Sequence, residues 1–310
     1  MHRPEHGLRF AGPWGLCYTR SAARPDVATV VHEGASGYEH CMITRLAEAF
    51  RYRELTRNLV LRDLKVRYKN SALGFLWSLL NPLAMMGVFT LVFTLMMPNN
   101  SIDRFPVFVL CAILPWNFFR DSVSGSIGSI VNNASLIKKV YFPREVLPLS
   151  VTLSNLVNFL LALIVLFVML LVFRLPLTRW LLLLPVVIAT QLLFTLGLGF
   201  ALATANVFYR DTAMIMEVVL LAWFFVTPIF YPIDILPSDR LVLGLNLNIH
   251  RLTYILNPMA SIISTYRVIL YYGAPPAADF FLRTFVTAVA TLVIGYLIFT
   301  RFSRVFAEEV

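Results

Sequence analysis

The 310-residue chain is 58% apolar and only 14% charged, where a soluble domain is about half apolar and a quarter charged. Its formal net charge is +9, but the basic residues stand beside long apolar runs, as topology signals do, which argues against nucleic acid as a partner. The three cysteines, Cys17, Cys41 and Cys111, show no ligand spacing, so neither a disulfide framework nor a metal site is expected.

Residues 1–43 scatter Pro, Gly, His and charge without a period and read as a mobile tail. No basic stretch followed by an apolar core marks them as a signal peptide. Residues 44–70, TRLAEAFRYRELTRNLVLRDLKVRYKN, form a basic amphipathic segment. Leu61, Leu64 and Tyr68 share one helical face, and Arg62, Lys65 and Lys69 share the opposite one. Such a helix lies in the headgroup layer with its cations toward anionic membrane lipid. Alternatively it is a solvated helix that only marks the inner side.

Six apolar spans follow, at about 72–97, 105–131, 146–173, 180–205, 214–231 and 280–300. The first carries Asn81-Pro82, a kink signal. The second holds Pro115 and the adjacent pair Arg120-Asp121. Charge at membrane depth faces a bundle interior or water; a shorter span would instead leave the pair at the interface. Ser150, Thr152, Ser154, Asn155 and Asn158 suit helix–helix hydrogen bonds in the third span, and Gly197 and Gly199 permit close approach in the fourth. The fifth contains Glu217 and the run Trp223-Phe224-Phe225. Residues 233–273 are mixed, and 259–272 are apolar but short, which fits outer re-entrant elements. The expected fold is an all-α integral membrane protein: six transmembrane helices, an N-terminal amphipathic interfacial helix and outer re-entrant helices. Residues 44–310 form its transmembrane domain. Lys and Arg flanking the spans put both termini in the cytoplasm.

Between the second and third spans lies NNASLIKKVYFPREVLPL, residues 132–149. A short, charged, Pro-bounded segment between spans suits mechanical coupling better than catalysis. Residues 136–146 are expected to form a cytoplasmic coupling helix moved by a separate motor. Leu136, Lys138, Lys139, Tyr141, Phe142, Arg144 and Glu145 are its docking candidates, with Phe142 as anchor. No lysine belongs to a GxxxxGK[ST] loop, and GxSxG and HExxH are missing from the sequence. No catalytic residue and no cofactor are therefore expected on this chain.

RDLKVRYKNSALGFLWSLLNPL (residues 62–83) resembles the start of the membrane subunits of type 2 ABC exporters for polysaccharides. LPWNFF (114–119), LIKKVYFPREVLPLS (136–150), NVFYRDT (206–212), TPIFYP (227–232) and LNPMASIISTYRVILYYG (256–273) continue the resemblance in order. It implies a permease in the bacterial inner membrane, working as a homodimer with two copies of a separate ABC ATPase subunit that holds ATP and Mg. Lipid-linked polysaccharide such as O-antigen, teichoic acid or capsule is the implied cargo. The resemblance further implies a gate helix at 44–70, with Arg62, Lys65, Arg67 and Tyr68, and an outer closure at 234–250 and 259–272.

Aromatic faces stack on sugar rings without demanding one sequence. Phe75, Trp77, Phe89, Trp116, Trp223, Phe225 and Phe230 are the channel-lining candidates, although membrane aromatics also anchor interfaces or pack on neighbours. Two other functions remain open: export of a drug or small lipid by the same architecture, and a membrane enzyme of glycan assembly.

Overall fold

The computed structural model describes residues 52–69, 76–92, 102–140, 142–176, 178–232, 239–242 and 245–310. All of them lie in one compact unit, Glu48–Val310. The N-terminal tail, Phe75 and Tyr141 lie outside the described residues, as do the side chains of Tyr68 and Phe89.

The helices in chain order are α1 (Arg53–Tyr68), α2 (Trp77–Leu91), α3 (Phe105–Gly128), α4 (Ala134–Lys139), α5 (Val146–Val172), α6 (Leu184–Phe208) and α7 (Thr212–Val226). After a two-stranded hairpin, β1 (Asp239–Val242) and β2 (Leu245–Asn248), come α8 (Ile249–Leu256), α9 (Pro258–Leu270), α10 (Ala278–Phe302) and α11 (Phe306–Glu309). The antiparallel hairpin pairs Asp239 with Asn248 and Val242 with Leu245, and it falls within the stretch expected to be re-entrant.

Among the described residues four helices are long and apolar enough to cross a membrane: α3, α5, α6 with the preceding 3-10 turn from Arg179, and α10. Each matches an expected span to within a few residues. The other two expected spans correspond to α2 and α7, of 15 residues each. At 1.5 Å per residue each helix is about 22 Å long, short of a ~30 Å hydrocarbon core by itself.

α3 is the centre of the bundle, with α2, α5, α6, α7 and α9 packed around it. It is buried on nearly every side from Phe105 to Trp116, as a helix apolar all round must be. α5 buries Phe159, Leu163, Leu166 and Leu170, while Leu160, Ile164, Val168 and Leu171 face outward. Such a second apolar stripe suits the hydrocarbon side of a spanning helix.

α6 and α10 form the closest helix pair. A Cβ on Gly295 would overlap the Gly197 carbonyl oxygen, and one on Gly197 would sit 2.5 Å from the backbone of Thr291 and Leu292. Only glycine at both positions lets the backbones touch. Gly199 similarly admits the Ser126 side chain of α3. The hydroxyls of α5 mostly bond back to their own helix: Ser150 donates to the Leu147 carbonyl and Thr152 to that of Pro148. Ser126 and Thr152 meet between α3 and α5 at 3.4 Å.

Two ends of the bundle can be told apart. At one, Asn206 donates to the Ile127 carbonyl at 3.0 Å, Phe208 packs on Phe302 and Phe306, and α11 touches α4. At the other, Arg104 donates to the Arg174 carbonyl at 3.3 Å and Tyr271 bonds the Asp103 carbonyl. Gly273 there has φ +63, beside Pro176 and Thr178.

Candidate functional site

The first end is cationic. It gathers α4, the start of α5, the junction of α6 and α7, and the end of α10, and so brings Lys138, Lys139, Arg210, Arg301 and Arg304 to one side. Within α4, Ile137 is buried, Leu136 half-buried, and Lys138 and Lys139 exposed.

The helix expected over 136–146 is broken. α4 ends at Lys139, and Val140 has extended backbone with φ -130 and ψ 133. The chain turns through Arg144 before α5 begins at Val146. Pro143 supplies the reason: it has no N–H to give a helix and disfavours helical backbone at the residue before it. A second correction concerns Phe142. Expected as the anchor offered to a partner, it is 6% exposed and packed within this chain. The exposed apolar side chain beside the lysines is Val140, at 51%. Arg144 and Glu145 are half-buried.

α1 is tied to this end and to the bundle. Arg62 pairs with Asp63 at 3.1 Å and donates to the Asn133 side chain at 3.4 Å. Asn133 closes the 3-10 turn that precedes α4. Lys65 is exposed, and Arg67 donates to the Asn155 side-chain oxygen of α5 at 2.8 Å.

Above Arg67 a cleft of about 430 Å³ opens between α1, α2, α3 and α5. Four amides line it, Asn81, Asn117, Asn155 and Asn158, with Trp77 and the pair Arg120-Asp121. The pair is joined at 2.8 Å, and its side chains are 47% and 42% exposed. Arg120 lies eight residues before α3 ends at Gly128, about 12 Å along the helix. The pair stands along the helix, not at its end, and faces a cleft, with both side chains half-exposed rather than buried.

The channel candidates separate. Trp77 is half-exposed at the cleft, and Phe225 is 66% exposed on the outer face of α7. Trp223 and Phe230 are half-buried; Trp223 packs on Phe119 and Phe194, and Phe230 on Phe224. Trp116 is 1% exposed, locked between Phe119 and Phe224, so within one chain it faces no lumen. Its helix is buried on nearly every side up to this residue, and sequence spacing could not say which aromatic would turn outward.

Near the second end is a polar hub that sequence reasoning did not identify. Asn257 caps α9 by accepting from the Ala260 N–H at 3.1 Å. It also accepts from the Trp223 indole at 2.8 Å and donates to Thr227 at 2.9 Å. Arg267 is 5% exposed and donates to the carbonyls of Pro228, at 2.6 Å, and Ile229, with its guanidinium 3.7 Å over the Phe108 ring. Tyr266 donates to Gln191, which donates to the Pro115 carbonyl, at 2.9 and 2.7 Å. Two signals were available in the sequence: Asn-Pro opening an apolar run is a helix start, and a lone Arg within such a run needs internal acceptors.

A model of ABC-2 type transporters matches residues 54–271. The O-antigen export system permease protein RfbA of Myxococcus xanthus is 38% identical over 269 residues, covering 87% of this chain and 100% of that protein. A protein of the same name from Klebsiella pneumoniae is 33% identical over 248 residues, 80% of this chain and 91% of its own length. The polysialic acid transport protein KpsM of Escherichia coli is 25% identical over 191 residues, 58% of this chain and 71% of that protein.

Proposed function

The chain belongs to the ABC-2 type transporter family, and from that premise we propose that it is the membrane-spanning permease subunit of an ATP-driven exporter of O-antigen-like, lipid-linked polysaccharide. The polysaccharide is taken from what the relatives are named for. The permease works as a homodimer in the inner membrane, with both termini cytoplasmic. Two copies of a separate ATPase subunit hold ATP and Mg and supply the motion. The transmembrane domain spans residues 44–310, and the apolar stretches at about 72–97 and 214–231 complete six spans.

One observation carries this reading. The short cationic helix α4 sits at the same end of the bundle as the amphipathic helix α1, and Arg62 and Asn133 join them. A push on α4 therefore reaches α1, and through Arg67 and Asn155 it reaches α5. Lys138, Lys139 and Val140 present the docking face; Leu136, Phe142, Arg144 and Glu145 hold that face to the bundle. α1 serves as the gate helix, with Arg62, Lys65, Arg67 and Tyr68 on it. Phe75, Trp77, Phe89, Trp223, Phe225 and Phe230 are the channel aromatics of the assembled dimer.

Deleting the gene in a glycan-producing cell tests the reading. The expected result is lipid-linked glycan stranded on the cytoplasmic face, with export restored by the intact gene. Normal surface glycan in the deletion strain would overturn it. Co-purification with an ATPase subunit and glycan-stimulated ATP hydrolysis in nanodiscs test the partner.

A further inference from the structure

We propose that the cleft between α1, α2, α3 and α5 is a binding subsite for a neutral sugar unit of the transported glycan. The proposal rests on the polysaccharide reading above and adds to it a place within the single subunit where the cargo is held.

The first argument is hydrogen-bond chemistry. Asn81, Asn117, Asn155 and Asn158 all line the cleft. An amide carries two N–H donors and a carbonyl acceptor, and a sugar hydroxyl both donates and accepts. The Asn155 carbonyl already accepts from Arg67 and the Asn117 amide N–H already donates to the Met85 sulfur; the exposed Asn81 amide and the Asn117 carbonyl, on two helices, still offer a hydroxyl both senses. A phosphate would use only donors and would call for concentrated positive charge. Here Asp121 offsets Arg120 through two contacts, Nη2 at 2.8 Å and Nε at 3.0 Å. Arg67 is the other cation, and it is already donating to Asn155.

The second argument is shape. The volume of about 430 Å³ falls within the ~300–1,000 Å³ of small-ligand pockets. Trp77 presents a half-exposed ring at its edge, a flat apolar surface for the C–H face of a pyranose.

The third argument is position. Asn158 stands twelve residues into α5, about 18 Å along it. Asn117, Arg120 and Asp121 occupy the corresponding stretch of α3. Amides and charges at such depth do not face hydrocarbon. The cleft is therefore hydrated, or filled by something that returns its hydrogen bonds.

The test is cysteine protection in inverted membrane vesicles, with the three native cysteines replaced by alanine and the partner ATPase inactivated. Asn117→Cys is probed with a polar maleimide, and Asn81→Cys serves in its place should the first fail to insert. Val168→Cys, on the outward apolar stripe of α5, is the unlabelled control. Vesicles come from cells that accumulate the lipid-linked glycan and from cells unable to assemble it. Labelling without glycan, slowed severalfold when glycan accumulates, is the expected result. Equal labelling in both would overturn the proposal, because the cleft would then be open water. Absence of labelling in both would also overturn it, because lipid headgroups or a second copy of the chain would then fill the space. Should gene deletion leave surface glycan normal, the polysaccharide reading itself fails; should deletion strand glycan while labelling ignores it, the subsite alone fails.

Discussion

Arg267 keeps a guanidinium buried between α9 and the end of α7, where its described partners are carbonyl oxygens and an aromatic ring rather than a carboxylate. Its value is the satisfaction of those carbonyls, which belong to the segment that ends α7. An unmet buried polar group costs about 1–3 kcal/mol. Arg267→Leu is expected to lower the thermal unfolding midpoint in detergent markedly, and Arg267→Lys to recover only part, since a lysine cannot reach two acceptors as a fork does. A midpoint unchanged in Arg267→Leu would refute this clamp. Gly295→Ala is expected to cost about 1–3 kcal/mol by overpacking against the Gly197 backbone. Gly87→Ala is the matched contrast: nothing lies within 4 Å of its added Cβ, and the helix gains up to about 1 kcal/mol. Equal effects of the two alanines in urea or thermal titrations would count against the close pair. Single residues were the least legible scale in the sequence. Gly197 was read correctly as a close-packing residue, but its partner Gly295 is nearly a hundred positions away, and nothing local links them.

At the scale of elements, the stretch from Ala134 to Val146 divides its labour. Lys138, Lys139 and Val140 are exposed, while the buried Phe142 fixes the loop to the bundle. Phe142→Ala is therefore expected to destabilise the whole subunit by about 3–5 kcal/mol, visible as lower yield and a lower unfolding midpoint. The double variant Lys138→Glu/Lys139→Glu should leave folding intact and reduce co-purification of the ATPase. A folded Phe142→Ala protein of unchanged midpoint would return the phenylalanine to the docking face. Spans were legible because apolar length is a property of continuous sequence; α5 and α10 end within a few residues of expectation. The break at Val140 is less legible: Pro143 rules out helix through its own position and disfavours it at Phe142, but how far upstream the helix stops depends on how Ile137 and Phe142 pack against the bundle.

The whole molecule sorts its connections to two ends, and that sorting sets topology. The cationic end carries α4 and α11, and the opposite end carries Gly273 and the start of α10. Reporter fusions at Ala307 and Ala277 should therefore report opposite sides of the membrane, Ala307 on the cytoplasmic one. Matching signals would undo the arrangement. That Lys138, Lys139, Arg210, Arg301 and Arg304 gather at one end was legible from their places beside alternate apolar runs. The cleft was not, because its amides come from α2, α3 and α5, and the faces on which they converge depend on how those helices pack.

The glycine contact between α6 and α10 has a mechanical corollary. Two backbones in direct touch cannot slide or roll without one climbing over the other, so this pair travels as a single keel. Any transport stroke must then be carried by the other helices, among them α7, which fully buries only Leu220 and is held to the bundle chiefly near its end, through Trp223 and Asn257.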